Sequence, residues 1–402
     1  MQPLTGSERP ALPASHYVDN RIYTDSGVFA AETEEIFAKA WKFLLHESEI
    51  PHEGDFRTAT LAGRPLLVVR GEDGVIRSFF NVCPHRGAQL VRAPAGRLAQ
   101  HRLQCFYHLW TFDTRGNCTG IAQSKGYEAC GLGAADVRLR EVRTECLFGM
   151  VFVCLDEGAE PLRDFLGPEI MEALRVPFGS AELEVFHLHR ADLKCNWKHF
   201  VETNCEGYHE LLHLLNRRTA VQRREYRNRR WHIHRNGHLI FDQVAIGYDR
   251  LALESRDTNL LPGMMPNGHV VVDLFPDVML NCRSTVVRID SLTPIAPGLT
   301  KLECRGLGVK GDTPEQRAQR IAQHNQVWGP MGRNLPEDIW AVETQWETVS
   351  AGASRYSVIA REEDHGPMDD ATLRSFYAEW RSRVRRHSHD IDRPWAPPAA
   401  HG

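Results

Sequence analysis

Two short loops constrain this chain more than any other feature. Cys83-Pro84-His85-Arg86-Gly87 and Cys105-Phe106-Tyr107-His108-Leu109-Trp110 each offer one thiolate and one imidazole. A site that used all four would force the loops to lie side by side. A structural zinc ribbon is the simplest reading of two Cys and two His, but its usual pairs are Cys with Cys and His with His. Mixed pairs suit a [2Fe–2S] centre in which one iron takes two thiolates and the other two imidazoles, because each loop then gives one ligand to each iron.

The second concentration of ligand side chains is Glu202-Thr203-Asn204-Cys205-Glu206-Gly207-Tyr208-His209-Glu210-Leu211-Leu212-His213. If the stretch is helical, Glu206, His209 and His213 stand at i, i+3 and i+7 and project from one face. Two chemistries compete for it. Two histidines and a distant carboxylate would hold iron with open positions, whereas His209-Glu210-Leu211-Leu212-His213 also satisfies the His-Glu-x-x-His pattern of a zinc hydrolase.

Composition narrows the setting. With 402 residues, 42% hydrophobic and 25% charged, the chain has room for roughly two or three domains with full cores. A net charge of −4 gives no reason to expect a nucleic-acid partner. No run approaches the roughly 18 consecutive apolar residues of a membrane helix, so no membrane association is expected. Met1-Gln2-Pro3-Leu4-Thr5 has neither a basic start nor an apolar core, and a cytoplasmic location is expected. Ten cysteines are too sparse for a disulfide scaffold, which favours metal ligation or burial.

Taken in order, the chain alternates in texture. Glu32 to Leu45 places Ile36, Phe37, Ala40, Trp41, Leu44 and Leu45 at helical spacing, which predicts an amphipathic helix. Phe56 to Leu61, Pro65 to Arg70 and Val75 to Asn81, divided by Gly63 and by Gly71-Glu72-Asp73-Gly74, predict a small antiparallel sheet with tight hairpins. Residues Pro161 to Leu174 read as a helical crossover. Between Asn216 and Arg235 lie Arg217, Arg218, Arg223, Arg224, Arg227, Arg229, Arg230 and Arg235. Such a run is a solvated face, or one of its planar forks holds a substrate carboxylate or sulfonate. Leu239 to Val244, Val270 to Phe275, Val278 to Asn281, Thr285 to Ile289 and Leu302 to Leu307 read as strands of a second antiparallel sheet. Thr313 caps a helix opened by Pro314, and Ala371 to Arg386 is amphipathic, with Phe376, Trp380 and Val384 on one stripe. The expectation is an α+β protein. A small antiparallel β domain over 46–160 carries the Cys-His loops; a larger catalytic domain over 161–402 has an antiparallel sheet flanked by helices; residues 1–45 form a segment and helix packed on the latter.

Cys-x-His-Arg-Gly followed by Cys-x-Tyr-His-x-Trp resembles the Rieske domain of the ring-hydroxylating, non-heme iron oxygenases, and Phe112-Asp113-Thr114-Arg115-Gly116-Asn117 continues as that family's strand and turn do. Leu109 stands where the family usually has Gly. Asn196-Trp197-Lys198 resembles the lead-in to the family's iron-binding helix, and Glu206, His209 and His213 match its carboxylate-x-x-His and second His. The family more often has Asp at the first position and four residues between the histidines; here Glu stands first, with three between. Val327-Trp328-Gly329-Pro330-Met331-Gly332-Arg333-Asn334-Leu335-Pro336-Glu337-Asp338 resembles the Gly-Pro-x-Gly…Glu-Asp signature of the branch acting on salicylate, terephthalate and related aromatic acids.

That resemblance implies a catalytic α subunit. Cys83, His85, Cys105 and His108 would hold the Rieske cluster, and His209, His213 and Asp338 a mononuclear Fe(II), with Glu337 or Glu343 as alternatives to Asp338. Glu206 would bridge a cluster histidine and an iron histidine across subunits, supported by Asn204 and Tyr208. By the same resemblance NAD(P)H would act through a separate reductase, with or without a ferredoxin. A homotrimer, with or without a small β subunit, is the implied assembly. The expected reaction is O2-dependent hydroxylation of a small organic acid, an aromatic carboxylate first. The alternatives are monooxygenation of a quaternary amine or sulfonate, an electron carrier whose large domain only binds a partner, or the zinc hydrolase. Retention of His209, His213 and Asp338 argues against the carrier, and a complete cluster ligand set argues against the hydrolase.

Overall fold

The computed structural model describes residues 8–179, 181–246, 258–326, 329 and 332–384. Its chain divides into two compact units, one over Phe37–Leu162 and the other over Met1–Ile36 together with Arg163–Gly402. No helix among the described residues is long and apolar enough to cross a membrane.

The Phe37–Leu162 unit is an antiparallel sheet of seven strands. In spatial order they are Lys42–His46, Met150–Cys154, Glu141–Leu147, Ile76–Phe80, Arg64–Arg70, Asp55–Leu61 and Ala95–Arg97. The expected hairpins are present, Phe56 facing Val69 and Leu61 facing Arg64. The N-terminal expectation fails in its second half. The helix Ser26–Glu32 ends in a single π turn, Thr33–Phe37, and Lys42–His46 is a strand whose five residues are all buried. A segment covered on both faces shows no alternation, so its apolar run fits a helix wheel equally well. A smaller sheet, Leu103–Gln104, Thr111–Phe112 and Cys118–Gly120, carries the second Cys-His loop. Phe56, Leu67, Phe79, Leu103, Trp110 and Phe112 form one buried cluster with Cys83 and Cys105, so the two thiols belong to the unit's own core.

The larger unit is built on a seven-stranded antiparallel sheet in the order Leu183–Leu193, Leu299–Val309, Val287–Ala296, Val278–Arg283, Gly268–Leu274, Leu239–Ala245, Trp231–Ile233. Every strand after the first in sequence pairs with its sequence neighbour, which is a meander with Leu183–Leu193 returned to its end. Thr313 caps the helix Pro314–Gln326 by accepting from Gln316 N at 3.2 Å while Gln316 Oε1 takes Thr313 N at 2.9 Å. The helix Ala371–Arg383 buries Phe376 and Trp380, with Val384 buried just beyond it; Arg386 lies outside the described residues.

The helix Trp197–Asn204 is anchored from both chain ends. Its Asn196 cap accepts from Lys198 N at 3.1 Å. Glu32 receives the Lys198 ammonium, Trp197 Nε1 at 2.8 Å and Trp380 Nε1 at 2.7 Å. One turn further on, Glu202 accepts from Tyr23 Oη at 2.6 Å and from the Tyr377 hydroxyl. Burial raises the Glu202 carboxyl above the usual range, and the two tyrosines oppose that shift. Two carboxylates thus hold the N-terminal segment, this helix and the C-terminal helix together.

Candidate metal centres and substrate cavity

The Cys-His loops are closed by matching backbone bonds. Cys83 N donates to Ala88 O at 2.7 Å and Gly87 N to Cys83 O at 3.0 Å; Cys105 N donates to Trp110 O and Leu109 N to Cys105 O, both at 2.9 Å. The residue before each closing position has positive φ, +75° at Gly87 and +57° at Leu109. That explains why glycine is usual there: only glycine takes this conformation without steric cost.

Both thiols are buried, and burial, with the Cys105 thiol alongside, pushes Cys83 up. The imidazoles of His85 and His108 stand 4.6 Å apart at 73°, and His85 stacks on Trp110 at 4.6 Å and 8°. His85 Nε2 pairs with the Tyr127 hydroxyl at 3.2 Å, while its Nδ1 is buried with no hydrogen-bond partner among the described residues. His108 Nε2 meets the Arg86 guanidinium. Two sulfurs and two ring nitrogens at one end of a core, one nitrogen orphaned, fit the donor set of a [2Fe–2S] cluster with one cysteine and one histidine per loop.

The Glu202 to His213 stretch departs from the single-helix expectation. Its helix stops at Asn204, a 3-10 turn covers His209–Leu211, and His213 is extended with ψ 106° before the helix Leu214–Arg218. Gly207 breaks the helix: its N–H donates to Pro367 O at 2.7 Å, and an added Cβ would lie 2.5 Å from that oxygen. A regular helix through Gly207 would spend that N–H internally.

The break nonetheless converges the side chains. His209, His213 and Asp338 offer ligand atoms within 4.8 Å of one another, Asp338 coming from the helix Asn334–Ser350. His213 Nε2 and Asp338 Oδ1 are 3.2 Å apart, yet both atoms are buried and neither has a hydrogen-bond partner among the described residues. His209 Nε2 lies 4.0 Å from the same oxygen. The outward nitrogens are held by carboxylates, His209 Nδ1 by Glu206 at 3.1 Å and His213 Nδ1 by Glu337 at 2.7 Å. Each carboxylate fixes the tautomer that turns a bare Nε2 inward.

Burial opposes protonation of His209, but Glu206, Asp338 and Glu210 outweigh it and push the imidazole up to about 10. His213 is raised against burial by Asp338 and Glu210. A site this rich in carboxylates calls for positive charge. Orphaned nitrogen and oxygen atoms in a two-His, one-carboxylate set fit a mononuclear iron with open positions.

Other expected residues fall into place or out of it. Glu206 accepts from the backbone N–H groups of Tyr208 and His209 as well, and so caps the 3-10 turn. Glu337 orients His213, and Glu343 accepts Lys194 N at 2.9 Å instead. Asn204 lines the cavity beside the histidines. Tyr208 does not: its ring is 46% exposed under the Arg361 guanidinium at 4.0 Å, because the break after Asn204 turns it outward. Glu210 is buried and accepts from Asn216 Nδ2. Of the signature before Asp338, residues Val327, Trp328, Pro330 and Met331 lie outside the described residues.

The cavity measures about 500 Å³ with its open mouth and is lined by His209, His213 and Asp338 on one side and by Trp231, Phe241, His269, Val271, Asn281 and Arg288 from the sheet. None of the clustered arginines between Asn216 and Arg235 lines it; among the described residues the lining arginine is Arg288. Arg229 is buried instead against the cavity wall, its guanidinium 3.5 Å over the Phe241 ring and its Nε on Asp242 O at 2.8 Å. Burial brings it down to about 10. The sheet residues escaped sequence reasoning because alternation along a strand does not say which face meets a site.

Residues 40–134 match the Rieske [2Fe-2S] domain family and residues 180–386 the ring hydroxylating alpha subunit (catalytic domain) family. The chain is 41% identical to the 2-aminobenzenesulfonate 2,3-dioxygenase subunit alpha of Alcaligenes sp, covering 94% of this chain and 96% of that protein. It is 39% identical to the methanesulfonate monooxygenase hydroxylase subunit alpha of Methylosulfonomonas methylovora, over 97% and 96%. Among solved structures, naphthalene 1,2-dioxygenase from Rhodococcus sp. superposes with a TM-score of 0.78 at 22% identity, covering 92% of this chain and 94% of that one. A Rieske cluster in the smaller unit, a mononuclear iron in the larger one and a shared architecture lead to one conclusion: the chain belongs to the Rieske ring-hydroxylating oxygenases, as an α subunit, and is an oxidoreductase that incorporates O2.

Proposed function

We propose that this α subunit is the terminal oxygenase for an organosulfonate. The observation that carries the reading is the cavity itself, where a two-His, one-carboxylate set faces a sheet that presents Asn281 and Arg288. The two relatives of about 40% identity support the choice of anion, since their names specify an aminobenzenesulfonate and methanesulfonate. An aromatic carboxylate, the first expectation from the Glu-Asp signature, draws support only from more distant relatives, such as the 28% identical anthranilate 1,2-dioxygenase large subunit of Burkholderia cepacia.

In this reading Cys83, His85, Cys105 and His108 hold the cluster and His209, His213 and Asp338 hold the iron. When bound, the cluster supplies electrons one at a time and the iron activates O2 beside the substrate. The residues around them set proton positions. Glu206 keeps the proton of His209 on Nδ1 and Glu337 keeps that of His213 on Nδ1, so both Nε2 lone pairs face inward. Phe241, fixed under Arg229, and Trp231, stacked on it at 4.2 Å and 8°, exclude water from the apolar side.

Electrons come from NAD(P)H through a separate reductase, with or without a ferredoxin. The assembly proposed is a trimer, with or without a small β subunit, in which Glu206 meets a cluster histidine of the neighbouring subunit. Phe106, Tyr107 and Leu109, each more than half exposed around His108, support a docking role for that tip, since clustered exposed apolar side chains mark interaction surfaces.

The test is substrate-dependent O2 uptake by the holoenzyme with a surrogate reductase. Benzenesulfonates, methanesulfonate, benzoates and betaines form the panel. Uptake with sulfonates is expected; uptake with benzoates or betaines alone would reassign the substrate.

A further inference from the structure

Five strands under the cavity contribute to its lining, and one lining residue from each stands directly opposite the next. Trp231 pairs with Phe241, Phe241 with Val271, Val271 with Asn281, and Asn281 with Arg288. Residues paired across an antiparallel sheet share a face, so all five form one straight row along the cavity floor.

The row changes character at its middle. Trp231, Phe241 and Val271 are apolar, while Asn281 and Arg288 are polar. The Asn281 amide is oriented: its Oδ1 accepts from Arg283 Nε at 2.9 Å. A guanidinium only donates, so the atom it meets is the amide oxygen and the Nδ2 hydrogens remain as donors toward the cavity. Arg288 is itself steadied by Asp290, Nε to Oδ1 at 2.9 Å. One end of the floor therefore offers the Asn281 donors beside a guanidinium whose charge is paired with Asp290, and the other a stacked aromatic pair.

We propose that this row reads the substrate: its anionic group accepts from Asn281 Nδ2 beside Arg288, and its carbon portion lies across Val271 toward Phe241 and Trp231. Val271, the hinge between the two halves, sets how large that carbon portion can be. The placement deepens the sulfonate reading and rests on it. A carboxylate could accept from the same donors, so the experiment separates the two anions.

Binding is measured by titration calorimetry on anaerobic holoprotein, without reductase, using methanesulfonate, benzenesulfonate, benzoate and neutral benzenesulfonamide. The wild type should prefer benzenesulfonate to benzenesulfonamide. Asn281→Asp replaces donors by a like charge and should weaken both sulfonates by roughly tenfold to a hundredfold, with the visible absorbance of the cluster unchanged. Val271→Phe should lose benzenesulfonate and keep methanesulfonate. If Asn281→Asp binds benzenesulfonate as the wild type does, the placement is overturned while the sulfonate reading stands. If the wild type binds benzoate and neither sulfonate, the sulfonate reading falls, and the loss or retention of benzoate by Asn281→Asp decides the row. Binding of no anion by the wild type overturns both. Should Asn281→Asp fail to fold, Val271→Phe decides alone, and equal weakening of both sulfonates by it contradicts the arrangement.

Discussion

At Leu109 the chain keeps a bulky residue in the left-handed region, with φ +57°, and leaves its side chain 52% exposed. Little packing would be lost on truncation, while the steric cost of a Cβ there is of order 1 kcal/mol. Leu109→Gly should therefore stabilise the cluster-bearing unit by about 1 kcal/mol, read from denaturant-induced loss of the cluster's visible absorbance; a lower midpoint would contradict the strain. His199 illustrates the opposite case of a residue whose cost appears only with pH. It is buried against the Tyr23 ring at 4.1 Å, and neither ring nitrogen has a partner among the described residues. Burial first, and then the Lys198 charge, bring it down to about 3 from the ordinary 6.5. Below 6.5 the unfolded chain takes up a proton that the folded one refuses, so stability is full above that pH and falls on acidification toward 3, by up to about 1.4 kcal/mol per pH unit. His199→Phe should lose about 1 kcal/mol less than wild type between about pH 7.5 and 5.5 in urea unfolding. The Cys-His loops were legible from sequence because each is a local unit that its own backbone bonds close. Asn281 was not, since its role depends on pairing with residues on two other strands and on Arg283 turning its amide.

The iron-site segment is a broken element held from outside. Spacing alone suggested one helix with Glu206, His209 and His213 in line; the helix ends at Asn204 because Gly207 bonds to Pro367, some 160 residues away, and no local pattern encodes that contact. The same tertiary control made Lys42–His46 a strand where its spacing suggested a helix. What keeps the broken segment in register is the Glu32 carboxylate, which joins Lys198, Trp197 and Trp380. Removing one partner of a buried pair strands the other charge, at about 3–5 kcal/mol. Glu32→Leu should therefore lower unfolding free energy by roughly that amount, measured in denaturant; a change within error would remove Glu32 from the anchor. Further along, Glu206 both caps the 3-10 turn and orients His209. Glu206→Gln keeps the shape and an acceptor oxygen but loses the charge. Both metals should stay bound while turnover falls by roughly tenfold to a hundredfold; wild-type activity would sink the bridging role.

The molecule carries an electron-storing centre in one compact unit and an O2-activating centre in another, so its activity depends on the route between them. That route runs either inside one chain or from one chain to the next. The exposed Phe106, Tyr107 and Leu109 around His108 favour the second, because a tip of this character is costly to leave in water. Two disabled variants separate the routes. Cys83→Ser removes a cluster ligand and Asp338→Ala an iron ligand, so each alone should be inactive. Co-expressed and purified together, they assemble at random. In a head-to-tail ring, a junction works when an intact cluster on one subunit faces an intact iron on the next, which holds for about a quarter of junctions. Electron transfer between subunits therefore predicts a mixed preparation with about a quarter of the wild-type specific activity, while transfer within each chain predicts none. The mixture must show both partial cluster absorbance and partial iron content, which confirms that both variants are present. An inactive mixture meeting that condition would place the whole electron path inside a single chain.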